Sequence, residues 1–126
     1  MISIEEFKKL EIKIGQILSV EKVPDTDKLL KLSVDMGLKP PSGSPDQSDS
    51  SVLGEERDIR QIVSGIATFF PDLAVLVGKK CAFAGNLEPR VIKGLESQGM
   101  ILAVSGDNFF SLLEVSADVV LGSQVK

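Results

Sequence analysis

The sequence contains no tryptophan, no tyrosine and no histidine, and only one cysteine, Cys81. Without histidine the chain lacks the commonest metal ligand and general base, which argues against a metal site and against histidine-based catalysis. A single cysteine cannot form an internal disulfide. Within Cys81-Ala82-Phe83-Ala84 it reads as a small buried strand residue rather than a reactive thiol. Six phenylalanines are the whole aromatic complement, too few for a broad platform stacking single-stranded bases, so Phe69, Phe70, Phe109 and Phe110 are expected in a core or an interface. No apolar run approaches the roughly 18 to 20 residues that span a bilayer, and Met1 to Lys9 lacks the basic-then-apolar layout of a secretory signal. No glycine-rich phosphate loop of either common spacing occurs, so nucleotide hydrolysis lacks its usual cradle. These absences point to a soluble, cytoplasmic protein with no membrane segment and no cofactor.

What is present suits one small module. A length of 126 residues with 43% hydrophobic content supports a single core and a single domain over 1–126. The net charge of -4 opposes a nucleic-acid partner on its face, because phosphate contacts need lysine and arginine. The distribution softens this: Met1 to Glu56 carries -4, Arg57 to Lys93 carries +3, and Gly94 to Lys126 carries -3. A local basic face on an acidic body can still bind polyanions.

Ser3-Ile4-Glu5-Glu6 fits a capping box and predicts a short opening helix to about Lys9, with Phe7 and Leu10 facing the core. From Ile12 the period becomes two, with Ile12, Ile14, Leu18 and Val20 on the buried face and a bulge or sharp coil at Gly15-Gln16. After the Pro24-Asp25 turn, Leu30, Leu32, Val34 and Met36 alternate with polar residues as a second strand. Asp25 and Asp27 are read there as turn residues that satisfy backbone groups, not as paired catalytic carboxylates. Lys39 to Ser51 holds no apolar side chain except proline, so 38–56 is expected to be a flexible polar loop insert. Further strands are predicted at Ile59 to Ile66, Lys80 to Ala84, Met100 to Val104 and Phe109 to Val115, with a short helix between Pro71 and Gly78. This pattern predicts an all-β fold: a five-stranded barrel of the oligonucleotide-binding (OB) type with a C-terminal β extension over 106–126, a sandwich being the alternative on pattern alone.

The segment Asn86 to Met100 combines two cations with asparagine, serine and glutamine, and its proline and glycines predict non-repetitive backbone. Arg90 can fork two bonds onto a phosphate, Lys93 can supply a point charge, and the amides can reach sugar hydroxyls or base edges. A bland polar connection between two strands would look nearly the same.

The chain resembles a known family along nearly its whole length. Phe7-Lys8-Lys9-Leu10-Glu11-Ile12-Lys13-Ile14-Gly15, Asp27-Lys28-Leu29-Leu30, Arg60-Gln61-Ile62-Val63-Ser64-Gly65-Ile66-Ala67, Val77-Gly78-Lys79-Lys80, the Asn86 to Met100 run and Leu121-Gly122-Ser123-Gln124-Val125 match it in order. The family is the tRNA-binding domain found at the C-terminus of many bacterial methionyl-tRNA synthetases, as their separate β chain, and as free-standing tRNA-binding proteins. The resemblance implies an OB barrel, tRNA binding by shape rather than sequence, no catalysis, and often a homodimer through the C-terminal extension. It places Arg60, Arg90 and Lys93 on the RNA backbone, with Lys28 and Lys31 as additions, while Asn86, Ser97 and Gln98 make polar contacts or hold the loop. The partners implied are tRNA, a second copy and the catalytic chain of a methionyl-tRNA synthetase. A protein-interaction module related to an export chaperone is the alternative. The long polar insert and the acidic balance depart from the family's pattern, and imply weak, salt-sensitive binding that gains from tethering or dimerising.

Overall fold

Ser3 caps the first helix as its sequence demands: its hydroxyl accepts from Glu6 N at 3.2 Å while the Glu6 carboxylate accepts from Ser3 N at 3.4 Å. Helix α1 (Ile4–Lys8) is one and a half turns long and buries no residue fully, Phe7 and Leu10 being half-buried. The computed structural model describes residues 1–38 and 56–126. The expected polar insert therefore lies outside the described residues except for its two ends.

Strand β1 (Ile12–Lys22) is long enough to serve two neighbours. Its first half, Ile12 to Gln16, pairs antiparallel with β4 (Lys80–Ala84), and its second half, Gln16 to Lys22, pairs with β2 (Leu30–Leu38). The hand-over needs a close approach at Gly15, where a β-carbon would come within 2.7 Å of Met36 Sδ and 2.8 Å of Val34 Cγ1. The register shifts between Ile17 and Ser19, two residues beyond the bulge predicted at Gly15-Gln16. Gly15 and Ile17 share the inward parity, so Ile17 is fully buried, and Leu18, expected inward, is the extra residue and stands 43% exposed, which returns Val20 to the core side.

Strand β2 follows its sequence pattern without exception: Leu30, Leu32, Val34 and Met36 are all buried. It pairs with β3 (Arg57–Ser64), and the sheet order is β3-β2-β1-β4-β7, the last being the short strand Met100–Ile101. Strands β5 (Arg90–Ile92) and β6 (Leu95–Ser97) form one separate hairpin, and β8 (Ala103–Gly106) and β9 (Phe109–Leu112) another. The strand predicted over Met100 to Val104 is thus split at Leu102 between two sheets, because Leu102 N turns to Ala82 O while Ala103 pairs with Leu112.

The predicted helix between the third and fourth strands is replaced by two 3₁₀ turns, Ala67–Phe69 and Leu73–Leu76. Asp72 does cap the second, accepting from Ala74 N at 3.0 Å. Only four residues separate that cap from Val77, which is already extended, and Gly78 at φ +91° ends the segment, too short a run for an α-helix. The turn still does a helix's packing job by placing Leu76, fully buried, against Ile17, Leu30, Leu32, Val34, Ile62, Cys81 and Phe83 in the core.

The architecture is all-β: a curled five-stranded antiparallel half-barrel with little helix, consistent with an OB-like fold. Its C-terminal tail is woven into the sheet. Gly122 N and Val125 N donate to Ile14 O and Ile12 O, and Ile14 N donates to Ser123 O, so the tail covers the edge of β1 that β2 does not reach. The Lys80 ammonium holds the preceding loop through the carbonyls of Ala117 and Val119, at 2.6 and 2.8 Å.

Candidate nucleic-acid interface

The segment Asn86 to Met100, predicted to be irregular, is an ordered hairpin arm. Arg90 pairs with Ser97, Val91 with Glu96 and Ile92 with Leu95. Two residues make its turn, Lys93 at φ +52° and Gly94 at φ +81°, and positive φ at both positions is the geometry that matches the twist of a two-residue hairpin. The sequence signal was Val91-Ile92 and Leu95 flanking an X-Gly pair. Lysine hides it, because asparagine or aspartate is the usual residue ahead of that glycine.

The arm is fastened to the barrel at both roots by polar side chains. At the entry, Asn86 Oδ1 accepts from Glu11 N at 2.8 Å and its Nδ2 donates to Lys9 O. At the exit, Ser97 Oγ accepts from Val63 N and donates to Gly99 O, each at 3.0 Å, and is buried. Gln98 exchanges two bonds with the Gln61 backbone, N to O at 2.8 Å and Gln61 N to its own Oε1 at 2.9 Å, while the Gln61 amide donates to Glu96 O. These contacts satisfy the outer edge of β3, where the sheet would otherwise end in orphan backbone groups.

Arg60 belongs to the same fastening. Its guanidinium grips Asp58 through Nε and Nη2, at 2.9 to 3.2 Å, and its Nη1 donates to Gly85 O and, at 3.2 Å, to Gln98 O. The Arg60 and Asp58 side chains are each only 24% exposed. Of the eight residues singled out in the sequence, four therefore hold the arm: Arg60, Asn86, Ser97 and Gln98. Burial of Ser97 removes it from direct contact with any ligand in this conformation.

The other four are cations at the surface. Arg90 and Lys93 are exposed on the arm, Lys93 at its tip, and among the described residues neither has an ion pair. The hairpin register puts Arg90 on the face of Ser97, and Val91 with Glu96 on the opposite one, so the arm's acidic strand residue does not oppose its arginine. Lys31 sits on β2 and is paired with Glu21 at 3.1 Å, an exposed contact worth little in water. Lys28 is exposed at the β1–β2 turn, where its carbonyl accepts from Ala67 N.

Beside the arm's root the outer face of β1, β2 and β3 forms a shallow groove of about 370 Å³. Lys31, Arg60 and Gln98 line it together with a cross-strand row, Ser19, Ser33 and Gln61, that sequence reasoning did not select. The signal was available, since these are the outward members of the alternation whose inward members form the core. The groove offers hydroxyls, amides and one exposed apolar side chain, Ile59, while its two cations are matched by Glu21 and Asp58. Positive charge without an ionic partner stands on the arm instead.

Cys81 plays no part in this surface. It is fully buried, and its thiol is pushed up to about 11, first by burial and then by the nearby Glu114 carboxylate, so it stays protonated at neutral pH. No group of three histidine, cysteine, aspartate or glutamate side chains that could hold a metal is found among the described residues.

A curled half-barrel with a polar face and a cationic arm rooted at its edge is the layout of a barrel-type binding module. Comparison with known proteins gives the family. Residues 52–124 match the family model described as "Putative tRNA binding domain", and the chain belongs to that tRNA-binding domain family. It is 43% identical over 126 residues to a methionine–tRNA ligase of Porphyromonas gingivalis, covering 99% of this chain and 16% of the ligase. The chain thus spans about a sixth of the length of the curated relatives it matches. Among solved structures it is similar to a MetRS-related protein from Pyrococcus horikoshii, with 31% identity, a TM-score of 0.79, and coverage of 100% of this chain and 98% of that one. The chaperone CsaA of Bacillus anthracis shares the fold, at 21% identity and a TM-score of 0.72, over 100% of this chain and 99% of its own. No helix among the described residues is long and apolar enough to cross a membrane.

Proposed function

We propose that this chain is a non-catalytic domain that binds folded tRNA by shape, in the cytoplasm, and delivers it to the catalytic part of a methionyl-tRNA synthetase. The observation that carries the reading is the braced arm: Arg90 and Lys93, without ion partners among the described residues, are held on a hairpin whose two roots are bonded to the barrel. Two such cations, joined by Lys28 and Lys31, suit phosphates at fixed spacing, and the neighbouring row of Ser19, Ser33 and Gln61 suits ribose hydroxyls. Few phosphates would be neutralised, so binding is weak and weakens with salt by only about one unit of slope for each cation engaged. Membership of the tRNA-binding family and similarity to methionine–tRNA ligases support the ligand and the partner.

The domain would act as a homodimer, with residues 106–126 at the interface. Exposed apolar side chains there and nearby, Val104, Phe109, Leu113 and Val120, support self-association. The same apolar surface is what a protein-interaction role would use, and it keeps that reading as the second one.

A titration of the purified chain against total tRNA and against duplex RNA of equal charge, at two salt concentrations and with molar mass measured in parallel, tests the proposal. Preference for folded tRNA that weakens with salt supports it. Absence of binding at low salt discards tRNA as ligand of the isolated chain and promotes the protein-interaction reading.

A further inference from the structure

Arg60 is the cation that charge and position on β3 would most readily assign to a phosphate, and its geometry argues otherwise. A guanidinium has five N–H groups. Here Nε and Nη2 are directed at the Asp58 carboxylate and Nη1 at two backbone carbonyls, which leaves at most one N–H for a ligand. The two carbonyls belong to Gly85 and Gln98, the residues that bracket the arm on its way out of and back into the barrel. They lie 25 and 38 residues from Arg60 in sequence, so a single planar group ties β3 to both roots of one hairpin.

We infer that Arg60 is a positioning residue for tRNA recognition: it staples the two roots of the Arg90–Lys93 arm together and so fixes the direction in which the arm's cations meet the RNA. The inference rests on the reading that the arm contacts tRNA. Asp58 has two functions in this arrangement. It orients the guanidinium by a two-oxygen grip, and it cancels the charge, so that Arg60 adds little to the field an approaching polyanion meets. Lysine could not replace it, because a point ammonium cannot bind a carboxylate side-on and reach two carbonyls in the same plane.

The staple and a direct phosphate contact differ in their salt dependence. Removing one phosphate-binding cation lowers the slope of log K against log salt by about one unit, whereas removing a brace lowers affinity with the ion count unchanged. The test uses the full chain and total tRNA over a salt series, for wild type, Arg60→Met, Arg60→Lys, Asp58→Asn and the Arg90→Ala/Lys93→Ala pair with and without Arg60→Met. Duplex RNA of equal charge serves as the shape-free control, and hydrogen exchange is followed at the arm amides.

Arg60→Met should weaken tRNA binding roughly tenfold with the slope shifted by less than about 0.3 unit. Arg60→Lys should fail to restore affinity, exchange at Leu95 to Gln98 should accelerate, and Arg60→Met should cost nothing further once Arg90 and Lys93 are gone. Asp58→Asn separates the two roles by sign and covers the case in which Arg60→Met does not fold. Loosening the staple lowers the preference for tRNA over duplex RNA, whereas unmasking a phosphate-binding arginine raises affinity and steepens the slope. A slope lowered by about one unit in Arg60→Met, additive losses with the arm variants, or tighter binding in Asp58→Asn would each overturn the inference while leaving tRNA binding in place. A wild-type chain that binds no tRNA overturns the functional reading instead, and this one with it.

Discussion

Gly37 lies against the backbone of Leu121, so close that a β-carbon on it would stand 2.7 Å from the Leu121 carbonyl oxygen. Gly37 is at φ +95°, near the end of β2, and its N–H donates to the Asp35 carboxylate, which also receives Arg57. The contact is where the C-terminal tail crosses the sheet. Replacing Gly37 with alanine therefore meets two costs, about 1 to 2 kcal/mol for a side chain at positive φ and a backbone collision that only a shift of the tail relieves. Gly37→Ala should lower the midpoint of denaturant unfolding, and hydrogen exchange should show the amides of Ile14, Gly122 and Val125 losing protection first. Gly78→Ala is the control, since a β-carbon there meets nothing within 4 Å and only the positive-φ cost applies.

The neighbours Ile17 and Leu18 should behave oppositely. Ile17 is fully buried, and Ile17→Ala opens a cavity in the core at a cost of about 2 to 5 kcal/mol. Leu18 stands on the outside of the bulge, so Leu18→Ala should change stability by no more than about 0.5 kcal/mol. Equal losses from the two substitutions in urea titrations would mean that Leu18 packs in the core as Ile17 does, against the exposure found for it.

That pair also marks how far sequence alone carries. In β2 each inward position is apolar and each neighbour polar, so the strand and its buried face were both legible. In β1 two apolar residues are adjacent, and only the packing of Gly15 against Met36 and Val34 decides which of them faces in. The arm's residue types pointed to a candidate polyanion site, but not to the division of labour within it. Arg60, Asn86 and Gln98 find their partners through contacts 25 to 77 residues away, which the closing of the barrel creates and no local pattern records. Charge was legible as residues; whether a charge faces solvent or is matched inside the fold was not.

Cys81 provides a pH test of the core. Its folded value of about 11 lies above the ordinary 9.0 of a cysteine thiol, so the folded state holds the thiol proton more tightly than the unfolded chain does. The sign follows: this group leaves stability untouched below about pH 9 and lowers it as pH rises from about 9 to about 11, where the unfolded chain has already shed the proton. Stability should thus fall more steeply over that window in wild type than in Cys81→Ala. At pH 8 the native thiol should also resist a disulfide reagent that reacts at once with the urea-unfolded chain.

The arm's two cations are separable from its backbone, because Lys93 occupies a turn position that asparagine fills at least as well. Lys93→Asn removes the charge and retains a residue tolerant of φ +52°, whereas Lys93→Ala removes the charge and strains the turn. Both should weaken tRNA binding and reduce the salt slope by about one unit, as should Arg90→Ala on the strand beside it. Only Lys93→Ala should in addition loosen the arm, so its affinity should fall below that of Lys93→Asn at the same slope, with faster exchange at Ile92 and Leu95. Identical affinities for the two Lys93 variants would show that the turn geometry is irrelevant to binding. Unchanged affinity and slope in all three variants would move the RNA contact off the arm, to the row of Ser19, Ser33 and Gln61 on the barrel face.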